Sequence, residues 1–146
     1  MSNPSLRSIL LVDDDYISNL FNKIFISKLE LDLEVDIAVN GQVALDFIKG
    51  TETTKMKSSL LSPCLLLLDI NMPIMNGWQF LEAYESTIKK PIKNAIFIVV
   101  LTTSEEEADK VKALGNSNVR EFVQKPLSER KIKALITTYF QSIETS

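Results

Sequence analysis

The chain has 146 residues, of which 45% are hydrophobic and 24% charged: enough for one domain with its own core, in ordinary globular proportions. Its 16 Lys and Arg against 19 Asp and Glu leave a net charge of −3, which supplies no basic field for a nucleic-acid backbone or an anionic lipid surface. Histidine is absent and Cys64 is the one cysteine, so imidazole catalysis, imidazole metal ligation and internal disulfides are excluded together.

In chain order, Ser8 to Val12 (SILLV) is a continuous apolar run, the pattern of a strand covered on both faces. It ends in Asp13-Asp14-Asp15. Ile17, Leu20, Phe21, Ile24 and Phe25 then recur at helical spacing, and Leu33 to Val39 alternates as an edge strand does. Asn40 stands as an N-cap before a Val43/Ala44/Phe47/Ile48 stripe, with Gly50 at a C-cap position. Residues 51 to 63 (TETTKMKSSLLSP) form a polar, proline-ended connection longer than usual, expected to be a solvated insertion.

Leu65 to Leu68 is the second fully buried strand, and it stops abruptly on Asp69; Cys64 beside it fits a small buried hydrophobe. A helix over roughly 76 to 86 follows the Asp69 loop. Ile96 to Leu101 (IFIVVL) is the next buried strand, ending in Thr102-Thr103-Ser104, where Ser104 and three glutamates carry capping-box spacing. Gly115 sits at the next C-cap position. Val119 to Val123 predicts a fifth strand ending at Lys125-Pro126, and Ser128 opens a helix whose Ile132, Leu135, Ile136, Tyr139, Phe140 and Ile143 keep one face. No apolar stretch reaches the 18 or so residues of a membrane span, and the N-terminal apolar segment is too short for a signal peptide, so a cytoplasmic protein is expected.

Strand and helix alternate five times. This predicts an α/β fold, a doubly wound five-stranded parallel sheet with helices on both faces, as one domain with its core over about 7 to 143 and its site at the carboxyl ends of the strands. Asp13 to Asp15, Asp69, Thr102 to Ser104 and Lys125 then face one rim. Taken singly, an acidic triplet is a solvated turn, Thr-Thr-Ser a cap and Lys-Pro a strand stop. Together, converging carboxylates repel unless a cation sits among them. With oxygen ligands only, the ion is Mg²⁺, which keeps waters and accepts a phosphoryl oxygen; Lys125 balances that group's other side and Thr102 supplies a hydroxyl.

The set LLVDDD (10–15), LLLLDINMPIMNGW (65–78), VVLTTS (99–104) and FVQKPL (122–127) resembles the receiver domain of two-component response regulators, over about Arg7 to Phe140. The resemblance implies the flavodoxin-like receiver (βα)5 fold and a signalling protein, not an enzyme in the ordinary sense. Asp69 would accept a phosphoryl group from a phosphohistidine on a sensor histidine kinase or histidine phosphotransfer protein. It also implies Asp14, Asp69 and the Asn71 backbone carbonyl as Mg²⁺ ligands, with Asp13 acting through water. Asp15 caps the first helix. Lys125 would contact the phosphoryl group and precede a cis peptide at Pro126. Thr102 and Phe122 would form the switch, and the side chains at Asn71 and Ser104 would tune the phosphoryl lifetime. Phe122 departs from the frequent tyrosine and lacks its hydroxyl; the 51 to 63 insertion is the second departure.

Since the residues end soon after the last helix, a stand-alone receiver that signals by binding an output protein, or by a phosphorylation-dependent homodimer, is expected. Three rivals stand beside it. A haloacid-dehalogenase-like phosphatase needs an acid two residues past its nucleophile, where Asn71 stands. A flavodoxin-like electron carrier needs a phosphate cradle, which the acidic triplet repels and the four glycines, at 41, 50, 77 and 115, cannot build. A receiver-shaped adaptor that binds without phosphorylation differs only in lacking phosphate-dependent binding.

Overall fold

A computed structural model describes residues 3–50, 63–103 and 107–141. Five strands form one parallel sheet: β1 (Ser8–Val12), β2 (Glu34–Ala38), β3 (Cys64–Asp69), β4 (Ile96–Thr102) and β5 (Val119–Gln124). The helices between and after them are α1 (Tyr16–Ser27), α2 (Gly41–Gly50), α3 (Gly77–Thr87), α4 (Lys90–Ala95), α5 (Glu107–Leu114) and α6 (Glu129–Tyr139). The spatial order is β2-β1-β3-β4-β5, so β1, β3 and β4 are interior and the strand order reverses beside β1.

The leucine run of β3 is apolar throughout because each face of the sheet carries its own core. Leu10, Val12, Leu66, Leu68, Ile98 and Val100 pack with Ala44, Leu45 and Ile48 of α2 and Phe80, Leu81 and Tyr84 of α3. On the other face Ile9, Leu11, Leu65, Leu67, Val99 and Leu101 pack with Ile26 of α1, Ile132, Leu135 and Ile136 of α6, and Phe140. Alternate residues of one strand thus enter opposite cores, and neither face tolerates a polar residue until the strand ends. Cys64 packs against the first core, and burial pushes its thiol up to about 11.

Helix starts follow local chemistry. Asn40 Oδ1 accepts from the Val43 amide at 2.9 Å, Asn76 and Gln79 form a reciprocal capping box, and Ser128 accepts from the Lys131 amide. α4 is an addition to the five predicted helices: six residues too short for a periodic signal, begun by Pro91 in its first turn. The capping box at Ser104 and the insertion through residue 62 lie outside the described residues; Pro63, which ends it, accepts the Arg7 amide at 2.9 Å.

α1 forms where its period predicts but faces the opposite way. Tyr16, Ile17, Leu20, Phe21 and Ile24 are all at least 40% exposed, and its buried residues are Asn19, Asn22 and Ile26. The orientation is set at its first turn, where Asp15 caps the Ile17 amide and Asn19 Nδ2 donates to the Asp13 carbonyl at 2.9 Å. The same shift touches α2, where Val43 and Phe47 are exposed and Leu45 is buried instead.

Candidate functional site

The carboxyl ends of β1 and β3 bring Asp13, Asp14 and Asp69 together, with one oxygen from each lying within 4.8 Å of the others. β1 and β3 are paired neighbours in register, Val12 opposite Leu68, so the residue that follows each pair reaches the rim at the same height. Asp13 and Asp69 are buried and Asp14 is exposed, which leaves the cluster open on one side. Lys125 enters from β5: its Nζ is 2.8 Å from Asp13 Oδ2 and 3.6 Å from Asp69 Oδ1. Its own amide donates to the Thr102 carbonyl at 2.8 Å, and the Lys125–Pro126 peptide is cis.

Burial first and the charge of Asp13 second push the Asp69 carboxyl up to about 6, against the opposing charge of Lys125. For Lys125 burial works against the charge, but the hydrogen bond and charge of Asp13 and the charge of Asp69 outweigh it, holding the ammonium above its usual value. Asp15 stands apart from the cluster as a cap, its carboxyl held low by the Ser18 hydroxyl at 2.8 Å.

Among the described residues, three converging carboxylates with a single ammonium carry excess negative charge, and the charge of Asp13 adds to the burial that raises the Asp69 carboxyl. A hard divalent cation relieves that excess, and all the donors are oxygens. The residues therefore fit Mg²⁺, with Asp13, Asp14 and Asp69 to hold it.

The loop after β3 is drawn tight against the strand. Gly77 donates its amide to the Ile70 carbonyl at 2.8 Å, and a Cβ there would stand 2.7 Å from the Asp69 carbonyl oxygen, so glycine is required. Ile74, at φ 68, is a β-branched residue in the left-handed region and is 82% exposed. Asn71 is exposed on this loop, two residues after Asp69.

Thr102 is buried at the end of β4. Val100 pairs with Phe122 and Thr102 with Gln124, so Thr102 stands one pleat beyond the Val100–Phe122 pair on the same face. Phe122 is half-buried against the core under that face. Ser104 lies outside the described residues.

Sequence reasoning missed Asn19, whose buried Oδ1 has no hydrogen-bond partner among the described residues while its Nδ2 donates to the Asp13 carbonyl. Asn19, Asn22 and Ile26 share helical spacing, and that signal was hidden by the stronger apolar stripe. It also missed Lys131, whose Nζ donates to the carbonyls of Gln124 and Pro126 at 3.0 and 2.9 Å. No spacing rule points to an exposed lysine that bonds backbone.

A doubly wound parallel sheet with an acid cluster and a lysine at its switch point defines a signalling receiver, and comparison with known proteins agrees. Residues 9–137 match the family described as response regulator receiver domain, so the chain belongs to the receiver domains of two-component response regulators. It is 27% identical over 139 residues to the probable C4-dicarboxylate response regulator DctR of Halalkalibacterium halodurans, covering 95% of this chain and 54% of that protein. It is 36% identical over 114 residues to the nitrate/nitrite response regulator NarL of Escherichia coli (strain K12), covering 78% of this chain and 46% of that one. The chain thus spans about half the length of these curated relatives. A two-component response regulator from Cytophaga hutchinsonii superposes with a TM-score of 0.79 at 27% identity, over 92% of this chain and 97% of that one.

Among the described residues no helix is long and apolar enough to cross a membrane.

Proposed function

We propose that this receiver is the phosphoacceptor of a phosphorelay in the cytoplasm, with Asp69 as acceptor. The observation that carries the reading is the pairing of a buried, electrostatically loaded Asp69 with Lys125 Nζ at 3.6 Å and two further carboxylates on one open rim. The Asp69 carboxylate attacks the phosphorus of a partner's phosphohistidine; the P–N bond breaks, its electron pair returns to the imidazole, and an acyl phosphate remains on Asp69. Asp13, Asp14 and Asp69, with the Asn71 carbonyl, would hold Mg²⁺, which when bound offsets the charge of the transferred phosphoryl oxygens. Lys125 neutralises a further phosphoryl oxygen, and the burial of Asp69 keeps bulk water off the attacking carboxylate.

The donor is a histidine kinase or a histidine phosphotransfer protein, since this chain has no histidine. The exposed apolar face of α1 lies beside a cavity of about 560 Å³ lined by Ile17, Phe21, Phe25, Lys125 and Leu127, which makes it the natural seat for such a donor. Once Asp69 is phosphorylated, Thr102 turns toward the phosphoryl oxygens and Phe122 follows on the same face, altering the surface that an output protein, or a second copy, reads. Asn71 and Ser104 set how fast water removes the group.

Intact mass after incubation with Mg²⁺ and phosphoramidate tests this. Wild type gains one phosphoryl group and Asp69→Asn gains none; EDTA abolishes the gain. An unmodified wild type that also releases no inorganic phosphate would leave a receiver-shaped adaptor in its place.

A further inference from the structure

We infer that Lys131, on the first turn of α6, is a positioning residue for Lys125, an inference that rests on the phosphoacceptor reading above. Its Nζ donates to the Gln124 carbonyl at 3.0 Å and to the Pro126 carbonyl at 2.9 Å, the two carbonyls that bracket Lys125 in the chain. The Lys125 amide is tied at the same time to the Thr102 carbonyl at 2.8 Å. The backbone of Lys125 is thus held on its inner side by β4 and on its outer side by one ammonium with donors to spare.

This matters because of the reach required of Lys125. Its Nζ lies 2.8 Å from Asp13 and 3.6 Å from Asp69 at the end of a four-carbon stem, so a small rotation of the peptide at its root displaces the ammonium. Pro126 has no amide with which to fasten the segment. The helix that follows supplies the fastening instead: Ser128 caps the Lys131 amide, which sets the first turn of α6 under the loop, and the Lys131 side chain returns to it. Lys131 touches neither the carboxylates nor any group they would hold. Its effect is to narrow the range of positions open to Lys125 before a phosphoryl group arrives.

The test compares Lys131→Met, which removes the donors, with Lys131→Arg, which keeps them, and with Ile132→Val, which loosens the buried side of α6 without touching the loop. Phosphorylation rates with phosphoramidate and Mg²⁺ are read by intact mass, and exchange of the Lys125 amide by NMR. We expect Lys131→Met to slow phosphorylation by about three- to ten-fold and to speed exchange at Lys125, the size of effect that losing one or two exposed hydrogen bonds produces. Lys131→Arg should restore both readings, and Ile132→Val should change neither. A Lys131→Met protein with wild-type rate and wild-type exchange overturns the inference while leaving the phosphoacceptor reading intact. So does an Ile132→Val protein slowed as much as Lys131→Met, since the loss would then come from α6 as a whole. If wild type takes no phosphoryl group, that reading fails, and the exchange at Lys125 alone decides whether Lys131 fastens the loop.

Discussion

Asp69 sits in an environment that disfavours its own charge. Its carboxyl is raised from 3.8 to about 6, chiefly by burial and then by Asp13. A carboxyl raised on folding contributes stability that is fully present below its unfolded value, near 3.8, and is lost as pH rises through about 6. Above that pH the ionised group should weaken the fold by about 1 to 3 kcal/mol relative to its neutral form, the lower end reflecting the solvent screening that the open side of the rim allows. Asp69→Asn, which cannot ionise, should therefore be more stable than wild type at pH 8 in EDTA, with the gap narrowing as pH falls through 6 and closing near 4. Urea unfolding at three pH values checks this, and a gap independent of pH would contradict it. Asp69 was legible in the sequence because four leucines cannot run into a carboxylate except at a strand end. Asn19 was not, because a buried asparagine on a helix looks like any solvated one until its neighbour is known.

Strands were easier to read than the orientation of helices. A continuous apolar run has only one solution, burial on both faces, and β1, β3 and β4 adopt it. A helical stripe fixes the period but not which side meets the sheet, and in α1 the capping of Asp15 and the Asn19 bond to Asp13 decide against the apolar side. α1 therefore reverses the usual consequence of substitution. Phe21→Gln, at a position 52% exposed, should change stability by no more than about 0.5 kcal/mol, whereas Ile26→Ala, at 4%, should cost about 2 to 5 kcal/mol. Chemical denaturation of the two variants decides it; a larger loss at Phe21 would mean that the stripe is packed after all. α4 escaped notice because six residues hold less than two turns, too few for a period to show.

At the scale of the whole molecule, the rim draws on β1, β3 and β5, so whatever binds there holds strands that are distant in sequence. A cation that binds the folded rim and not the unfolded chain should stabilise the entire domain, by about 2.7 kcal/mol at a concentration one hundred times its dissociation constant. Adding Mg²⁺ should thus raise the melting temperature of wild type well beyond that of Asp14→Asn, which keeps the fold and loses an exposed ligand. Equal shifts in the two proteins would place the ion elsewhere. That the fold could be read this far from sequence reflects how strongly a parallel sheet constrains its strands. The repulsion on the rim was legible as well; the burial that weighs most on Asp69 and the 2.8 Å contact of Lys125 with Asp13 were not, because they depend on distances that spacing along the chain does not fix.

The order β2-β1-β3-β4-β5 has one more consequence, for synthesis. When β1, α1, β2 and α2 have left the ribosome, β1 has a partner on one side only; its other edge waits for β3, where Cys64 pairs with Ser8. Until then the nascent chain carries an unpaired apolar strand edge, a template for misassociation. Three strands side by side appear only with Leu65 to Leu68 in place, so the segment that bears Asp69 is also the one whose arrival seals that edge. The strand that ends in Asp69 is in this sense a checkpoint: a chain that has not yet made it has neither the acidic rim nor a partner for the inner edge of β1.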